Sequence, residues 1–320
     1  MLQKADPEPA ATTVCTLFEG NDLPGVCALA NSLVESGFTG VFAPGTRRGA
    51  AWVEPLREIV AKAQAHPDVR FEVELHEFDT EMHLTNYKPW LMKHVFDARP
   101  PSADADRDAV LYFDPDIVLG VGWHFFDNWV QNGVALAADL NWFMPHDYPH
   151  RHVWRDHARA LGFEPDRELD LFFNGGFCGV TRPNAAFLDT WITLIESAAE
   201  AAGGLDVFRA KRRDAPFQSA NQDTLNVAAM CWPGRLSTVG PDGMAFAPGY
   251  HPMGHALGRP KPWTRNYTMT ALRGKKPRVV DSLYWKVADG PFEMYSPGRV
   301  RRKRLDLSFG KAVSRLLGSS

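Results

Sequence analysis

The stretch AVLYFDPDIVLG, residues 109–120, combines a strand of buried type with a pair of carboxylates. Five mostly apolar residues lead directly into Asp114, Pro115 and Asp116, and the chain then becomes apolar again. Asp and Pro are common turn residues, so a plain turn explains this composition. Two carboxylates so close together also repel each other unless a positive group lies between them, and Mg²⁺ or Mn²⁺ binds through such oxygens. The motif therefore predicts either a turn or a cation site.

The first third of the chain alternates between strand and helix patterns. Short strand patterns at 12–18 and 39–45 are each followed by apolar residues at helical spacing, at 23–37 and 54–67. This order favours an α/β fold with much parallel pairing in its sheet. Ligands of such folds bind beyond the carboxyl ends of the strands. The Asp-Pro-Asp sequence that follows the strand at 109–113 therefore lies where a binding site is expected.

Composition argues against several classes of protein. The formal net charge is only −3, so nothing global indicates a nucleic-acid partner. The four cysteines show no metal-type or disulfide-framework spacing, which favours reduced thiols in a cytoplasmic protein. Residues 1–11 lack the apolar core of a signal peptide. No stretch approaches the roughly 18 uninterrupted apolar residues of a spanning helix. We therefore expect a soluble, cytoplasmic protein.

The C-terminal segment 299–320 is strongly basic, with seven Lys or Arg residues against one acidic residue. Leu305, Phe309, Val313 and Leu316 recur near helical spacing between these charges. The pattern is typical of a solvated helix and also of a helix that lies at a lipid interface. Peripheral contact with the inner face of a membrane is thus left open beside the solvated alternative.

Three further segments carry polar residues in distinctive patterns. NGGFCGV at 174–180 follows an apolar run, and its paired glycines permit either a tight turn or close approach of the backbone to a ligand. NQDTLN at 221–226 either caps a helix or places polar side chains in a cleft. HALGRPKPW at 255–263 is either a surface loop or a source of an imidazole ligand and a lysine that neutralises phosphate.

Together, and in this order, these motifs resemble retaining glycosyltransferases of the GT-A fold, closest to family 8, which contains glycogenin and bacterial lipooligosaccharide galactosyltransferases. In that family a D-x-D ends a strand, an Asn-x-Gly follows, a D-Q-D-x-L-N segment comes after a helix, and a His-x-x-Gly-x-x-Lys-Pro-Trp segment comes last. The last motif is the most specific, because its His, Gly, Lys, Pro and Trp all fall in register at 255–263. The resemblance covers residues 12 to about 265.

The resemblance implies a Rossmann-like, mixed but mostly parallel central sheet flanked by helices. It divides the chain into a flexible N-terminus over 1–11, a GT-A nucleotide-sugar transferase domain over 12–270 and a C-terminal extension over 271–320 that ends in the basic amphipathic tail. It also implies that a hexose is moved from a nucleotide-sugar, UDP-glucose or UDP-galactose, with retention of configuration. The acceptor, whether carbohydrate, lipid-linked or protein, is not readable from the sequence.

Site residues follow from the same resemblance. Asp114, Asp116 and His255 would ligate Mn²⁺ or Mg²⁺, which bridges the diphosphate of the donor. The implied catalytic residues, near the transferred sugar, are Asn174, Gln222 and Asp223. The implied donor-binding residues are Cys15, Thr16 and Leu17 at the nucleobase, Asp139 at the sugar, Gly258 and Lys261 at the diphosphate, and in addition Lys88, Gly175 and Asn221. The family has Asp where this chain has Asn221, and an amide cannot act as a carboxylate acceptor or base, so sugar specificity or mechanism would differ.

Residues 146–157, HDYPHRHVWRDH, form a second candidate site with four histidines and two aspartates. Their spacing is irregular for zinc and no cysteine joins them. In a protein that resembles GT-A enzymes this region is expected to be a loop on the acceptor side. Solvated histidines are the favoured interpretation.

Two rival functions remain at this stage. DPDIV at 114–118 also fits the D-x-D-x-[T/V] motif of phosphatases of the haloacid-dehalogenase type, in which Asp114 would be the nucleophile and Asp116 an acid or base. That motif normally opens the catalytic core, however, whereas 113 residues precede it here. A catalytically silent binder of nucleotide-sugars is the third possibility.

Overall fold

The computed structural model describes residues 11–204 and 217–317, so the expected flexible segment 1–11 lies outside the described residues apart from its last position. The strands are β1 (Thr12–Leu17), β2 (Val41–Arg47), β3 (Glu72–Val73), β4 (His76–Phe78), β5 (Ala109–Phe113), β6 (Ile117–Leu119), β7 (Val134–Phe143), β8 (Leu171–Phe173), β9 (Phe177–Thr181), β10 (Leu236–Val239) and β11 (Met253–His255). The α-helices are α1 (Leu23–Ser36), α2 (Val53–Gln64), α3 (Lys88–Asp97), α4 (His124–Val130), α5 (Pro149–Ala160), α6 (Ala186–Ala201), α7 (Ala220–Cys231), α8 (Tyr267–Leu272), α9 (Val279–Val287) and α10 (Pro297–Leu316).

A mixed sheet forms the centre of the molecule. Its main path within the described residues runs β10-β7-β9-β5-β1-β2-β3, with β4 paired to β2 and β8 paired to β7. Strand β1 lies parallel to both β2 and β5, and β10 lies parallel to β7. Strand β9 runs antiparallel between β5 and β7. The predicted α/β class with a mostly parallel central sheet is confirmed.

Strand β5 shows why the opening motif has a continuous apolar run. Val110 and Tyr112 belong to the hydrophobic cluster on one face of the sheet, whereas Leu111 and Phe113 belong to the cluster on the other face. Successive side chains of a strand point to opposite faces, so a strand covered on both sides must be apolar at every position. The strand delivers Asp114 to the edge of the sheet where its apolar residues end.

The C-terminal part of the chain returns to this edge through β11. That strand pairs antiparallel with β6, and the register places His255 beside Ile117. Helix α9 packs against α1, β6 and β11, and α10 packs against α8. Within residues 11–204 and 217–317, every helix is too short or too polar to span a lipid bilayer.

The segment 146–157, expected to be a loop, is largely helical. Helix α5 begins with Pro149, whose fixed φ suits the first helical position. Arg151, Trp154 and Ala158 lie at helical spacing and form its buried face. The arginine interrupts the apolar pattern that would otherwise predict this helix from the sequence. Its guanidinium can be buried because it donates hydrogen bonds to the carbonyls of Met144 and Leu171.

Candidate functional site

The Asp-Pro-Asp motif is a turn, and the turn gathers its two carboxylates. The backbone N–H of Asp114 donates to the carbonyl of Gly176 at 2.8 Å, which continues the pairing of β5 with β9 by one step. The N–H of Ile117 then donates to the carbonyl of Asp114 at 3.0 Å and closes the turn. Asp116 is 6% exposed, and the side chain of Asp114 keeps 22% of its surface accessible. The turn and the cation site are therefore compatible interpretations of one motif.

Strand β11 brings an imidazole to this turn. Nε2 of His255 lies 3.2 Å from Oδ1 of Asp116 and 3.7 Å from Oδ2 of Asp114. One potential ligand atom from each of these three residues lies within 4.8 Å of the other two. In the part of the chain that the structure describes, this is the one group of three or more His, Cys, Asp or Glu residues that meets this criterion. The three predicted metal ligands are brought together.

Two lysines balance the two carboxylates. Nζ of Lys88 lies 2.7 Å from Oδ1 of Asp114 and also donates to the carbonyl of Gly175. Lys261 forms an ion pair with Asp116. Burial works against the charged form of Asp116, but the charges and hydrogen bonds of His255 and Lys261 outweigh it and hold the pKa of this carboxyl well below its usual range. Asp116 is therefore ionised at neutral pH, as a metal ligand must be.

The second glycine of NGG makes room for the imidazole. A Cβ atom at Gly176 would lie 2.5 Å from Cε1 of His255 and 2.8 Å from Oδ1 of Asn174. The N–H of Gly176 donates to that same Asn174 oxygen at 2.9 Å. This close approach of backbone to the imidazole requires glycine at this position, which favours the functional interpretation of the motif over a plain turn.

The first two residues of NGG connect the cluster to two other predicted segments. The N–H of Gly175 donates to Oε1 of Gln222 at 3.1 Å. The amide of Asn174 donates to Oδ2 of Asp139. Asn221 lies close by, since its Nδ2 would be 2.9 Å from a Cβ at Gly175, and this buried atom has no hydrogen-bond partner among the described residues. The structure thus brings five predicted residues into one connected group.

Asp223, the remaining residue predicted as catalytic, has a local role as well. It is 4% exposed, and its Oδ2 accepts a 2.7 Å hydrogen bond from the N–H of Ser219, the residue before α7. The helix-capping interpretation of NQD therefore holds for this side chain. It also lines the larger of two cavities at the site.

Most of the predicted site residues line one of two cavities. The smaller, of about 260 Å³, is lined by Leu17, Phe18, Glu19, Asp22, His83, Leu84, Thr85, Tyr112, Asp114, Pro115, Asp116 and Lys261. The larger, of about 770 Å³, is lined by Asp139, Leu140, Asn141, Met144, Tyr148, His150, Trp154, Phe172, Asn174, Gln218, Ser219, Gln222, Asp223, Leu257 and Gly258. Asp114 and Asp116 line the smaller cavity, and Asp139, Asn174 and Gln222, which are predicted to lie near the sugar, line the larger one.

Some predicted donor residues lie apart from the cavities. Cys15 and Thr16 are completely buried, and burial raises the pKa of the Cys15 thiol far above its usual range. Lys88 is 2% exposed and forms an ion pair with Asp114. Asn221 lies outside the lining of both cavities.

Asp22 is a candidate residue that the motifs missed. It lines the smaller cavity directly before α1, and burial followed by the charge of Asp116 raises its pKa. Its position after β1, at the same edge of the sheet as Asp114, was the available signal. No motif quoted from the sequence includes it.

Three of the four histidines around α5 have separate polar partners. His146 contacts Asp170 at 3.1 Å, His150 contacts the amide of Gln218 at 2.8 Å, and His152 contacts the carbonyl of Asp147 at 3.0 Å. No group of three potential ligands forms here among residues 11–204 and 217–317. His152 is exposed and the other three histidines are partly buried, and the interpretation without a second metal stays a prediction.

No protein-family model and no curated protein sequence matches this chain. Among solved structures, the bifunctional glycosyltransferase WbbM matches with a TM-score of 0.52 at 16% identity and covers 94% of this chain and 53% of its own. GlyE of Streptococcus pneumoniae matches with a TM-score of 0.50 at 12% identity, covering 94% of this chain and 64% of its own. An active-site mutant of LgtC matches with a TM-score of 0.50 at 15% identity, over 91% and 99%.

This chain therefore spans about half of WbbM and under two thirds of GlyE. At such low identities the likeness establishes architecture and leaves substrates open. The resemblance drawn from the four motifs is confirmed at that level, because the chain has the GT-A fold of these glycosyltransferases.

Proposed function

We propose that this protein is a metal-dependent glycosyltransferase that moves a hexose from a nucleotide-sugar, UDP-glucose or UDP-galactose, to an acceptor with retention of configuration. The observation that carries the proposal is the cluster of Asp114, Asp116 and His255 beside two cavities of a GT-A fold. We assign the smaller cavity, which Asp114 and Asp116 line, to the nucleoside diphosphate and the larger cavity to the sugar.

The donor set fits a divalent cation of the manganese type. Two carboxylates offer hard oxygen ligands, and an imidazole adds a nitrogen that Mn²⁺ accepts more readily than Mg²⁺ does. Nε2 of His255 faces the carboxylates, and the missing side chain of Gly176 keeps the space beside the ring open. When bound, the cation would supply positive charge against the departing nucleoside diphosphate.

Lys261 is the residue of the chain that would share this task. Its ammonium lines the smaller cavity and is anchored by Asp116 and by the carbonyl of Ala256. A lysine is a compact point charge that can neutralise phosphate oxygens. A charge that is already in place stabilises developing negative charge without reorganising during the reaction. We therefore assign Lys261, with the backbone at Gly258, to the diphosphate.

The sugar would lie against polar residues that line the larger cavity. Both oxygens of Asp139 are held, one by the N–H of Asn141 and the other by the amide of Asn174, so this carboxylate is fixed in orientation. The hydrogen bond from Gly175 similarly fixes the amide of Gln222. We propose that Gln222 lies below the anomeric carbon and that Asp139 and Asn174 select the sugar hydroxyls.

The acceptor would contact apolar residues that line the same cavity. Tyr148 is 42% exposed there, and Trp154 and Leu140 add apolar lining. Aromatic faces next to convergent polar groups are typical of small-molecule sites. A carbohydrate or a glycolipid headgroup fits this description better than an extended peptide does.

A release assay over several donors tests the proposal. The purified full chain is incubated with UDP-glucose, UDP-galactose and other nucleotide-sugars, with Mn²⁺ or with a chelator. We expect slow, Mn²⁺-dependent release of UDP from one donor in preference to the others. Release of phosphate from simple phosphate esters would favour the phosphatase reading, and tight UDP binding without sugar release would favour a silent binder.

A further inference from the structure

Helix α10 has two apolar faces, and the fold covers only one of them. Val300, Leu307 and Gly310 are buried, and a Cβ atom at Gly310 would lie 2.9 Å from the backbone of Tyr267 in α8. On the other face, Leu305 is 63% exposed, Phe309 60% and Leu316 87%. The first face fixes the helix to the body of the protein, so the second is held outward.

The outward residues form one continuous stripe, which we call the α10 stripe: Leu305, Phe309, Ala312 and Leu316. Their spacing of four, three and four residues places them on the same side of a helix. Single exposed apolar residues are ordinary on a protein surface, whereas a contiguous row marks a contact surface. The neighbouring helix α8 adds exposed side chains at Met269 and Leu272.

Unpaired positive charge flanks the α10 stripe. Arg301, Arg302 and Arg315 are exposed and form no ion pair with any residue in 11–204 or 217–317. The basic residues toward the body behave differently, since Lys303 donates to the carbonyl of Arg265 and Arg304 pairs with Asp289. The chain thus satisfies its inward cations and leaves the outward ones free.

We propose that α10 docks on an anionic lipid surface. Leu305 and Phe309 would enter the boundary between headgroups and acyl chains, and the flanking arginines would bind lipid phosphates. A second copy of the chain suits this face less well, because pairing two α10 stripes would bring like charges together. The proposal is independent of the proposed catalysis, since it concerns a surface that the two cavities do not include.

Sedimentation of the full chain with vesicles tests the proposal. We expect binding to phosphatidylcholine vesicles that contain about one third phosphatidylglycerol, and about tenfold weaker binding to vesicles of phosphatidylcholine alone. High salt should weaken the binding, because it screens the arginines. The double variant Leu305→Ser, Phe309→Ser should lose about tenfold in affinity.

Two further variants separate the contributions. Arg301→Glu with Arg302→Glu should abolish the preference for anionic vesicles. Val153→Ser with Leu161→Ser, at exposed positions on α5 and directly after it, is the matched control and should bind like the parent protein. Circular dichroism of every variant establishes that it is folded, without reference to activity.

Three outcomes would overturn the proposal: equal binding to neutral and anionic vesicles, unchanged binding of the Leu305→Ser, Phe309→Ser variant, or no binding at all. Analytical ultracentrifugation adds a fourth. A dimer in solution that is lost in the same variant would assign the α10 stripe to a second copy of the chain instead of a lipid surface.

Discussion

Two regions of the molecule place histidines next to aspartates, the turn at Asp114 to Asp116 and the segment around α5. On α5, His150 and His152 are two residues apart, and side chains at that spacing do not face each other on a helix. At the turn, one imidazole arrives from β11 and the carboxylates arrive from β5, so the three side chains converge. The segment around α5 has more potential ligands in its sequence, but its side chains do not converge, whereas those at the turn do.

Burial separates the two regions as well. His255 and Asp116 are each 6% exposed, and the energetic cost of burying them is offset by their contact and by Lys261. The pair of His146 and Asp170 is exposed, and such pairs contribute little to stability. A fold retains buried polar groups of this kind only where they satisfy each other or hold a ligand. The comparison therefore predicts large effects of substitution at the turn and small ones on α5.

The largest effect is expected for Asp116→Asn, which keeps the shape of the side chain but removes its charge. Loss of a cation ligand that also anchors His255 and Lys261 should lower Mn²⁺-dependent UDP release about a thousandfold or more. Steady-state kinetics at saturating Mn²⁺ measure the change. Asp147→Asn, in the segment around α5, is the control and should leave turnover unchanged. Normal turnover of Asp116→Asn without added Mn²⁺ would show that the cluster does not hold a catalytic cation.

His255→Ala should act on the cation directly. Removing the imidazole that lies next to both carboxylates is expected to weaken Mn²⁺ binding by about a hundredfold, at the upper end of effects seen around metal sites. Electron paramagnetic resonance of free Mn²⁺ in a titration gives the affinity without any need for activity. His152→Ala removes an exposed imidazole and serves as the comparison. Equal losses in both variants would mean that neither region is a specific site.

Gly176→Ala should have an intermediate effect. The added methyl would lie 2.5 Å from the ring of His255, so the imidazole or the backbone of β9 has to shift. We expect a destabilisation of about 1–3 kcal/mol together with weaker Mn²⁺ binding. Thermal unfolding with and without Mn²⁺ measures both. Gly298→Ala is the control, because its new methyl meets nothing within 4 Å, and it should unfold close to the parent temperature. A similar loss of stability in Gly298→Ala would contradict the steric explanation.

The smallest effect is expected at His157, whose pKa is lowered by burial. Its Nε2 has no hydrogen-bond partner among the described residues, so a proton on this ring is disfavoured in the folded state. The folded protein then binds fewer protons than the unfolded chain, and stability should fall slightly as the pH drops below the ordinary histidine pKa of about 6.5. Chemical denaturation at a series of pH values should show this slope in the parent protein and a shallower slope in His157→Gln. If the slope is unchanged in the variant, titratable groups other than His157 cause the pH dependence.

Sequence patterns predicted the framework of the fold because its central strands and first helix obey simple periodicities. The run at 109–113 is apolar throughout because β5 is covered on both faces, and α1 ends at Gly37, whose positive φ of 80° forms the helix cap. Helix α5 escaped this reasoning. Its buried face contains Arg151, which is completely buried because backbone carbonyls satisfy it, and no rule of apolar spacing includes an inward arginine.

Motifs in the sequence predicted several residues that the structure brings together, but not the contacts between them. Asp114, Asp116 and His255 came from a motif resemblance, since strands distant in sequence pair in ways that local patterns do not specify. The position of Lys88 beneath Asp114 depends on how α3 packs against β5, which only the tertiary structure fixes. Asp22 was missed because no quoted motif includes it, although its position after β1 pointed to this edge of the sheet. The assignments to nucleobase, diphosphate and sugar stay predictions until a bound donor is observed.

The late return of β11 has a consequence for biosynthesis. A nascent chain that ends before residue 253 already contains both carboxylates and most of the central sheet, but it has neither the imidazole nor the ammonium of Lys261. On the proposed function, the set of cation ligands would be complete only after residue 255 has been synthesised, and the ammonium would follow at residue 261. Mn²⁺ would then bind more tightly to chains that include these two residues than to shorter ones.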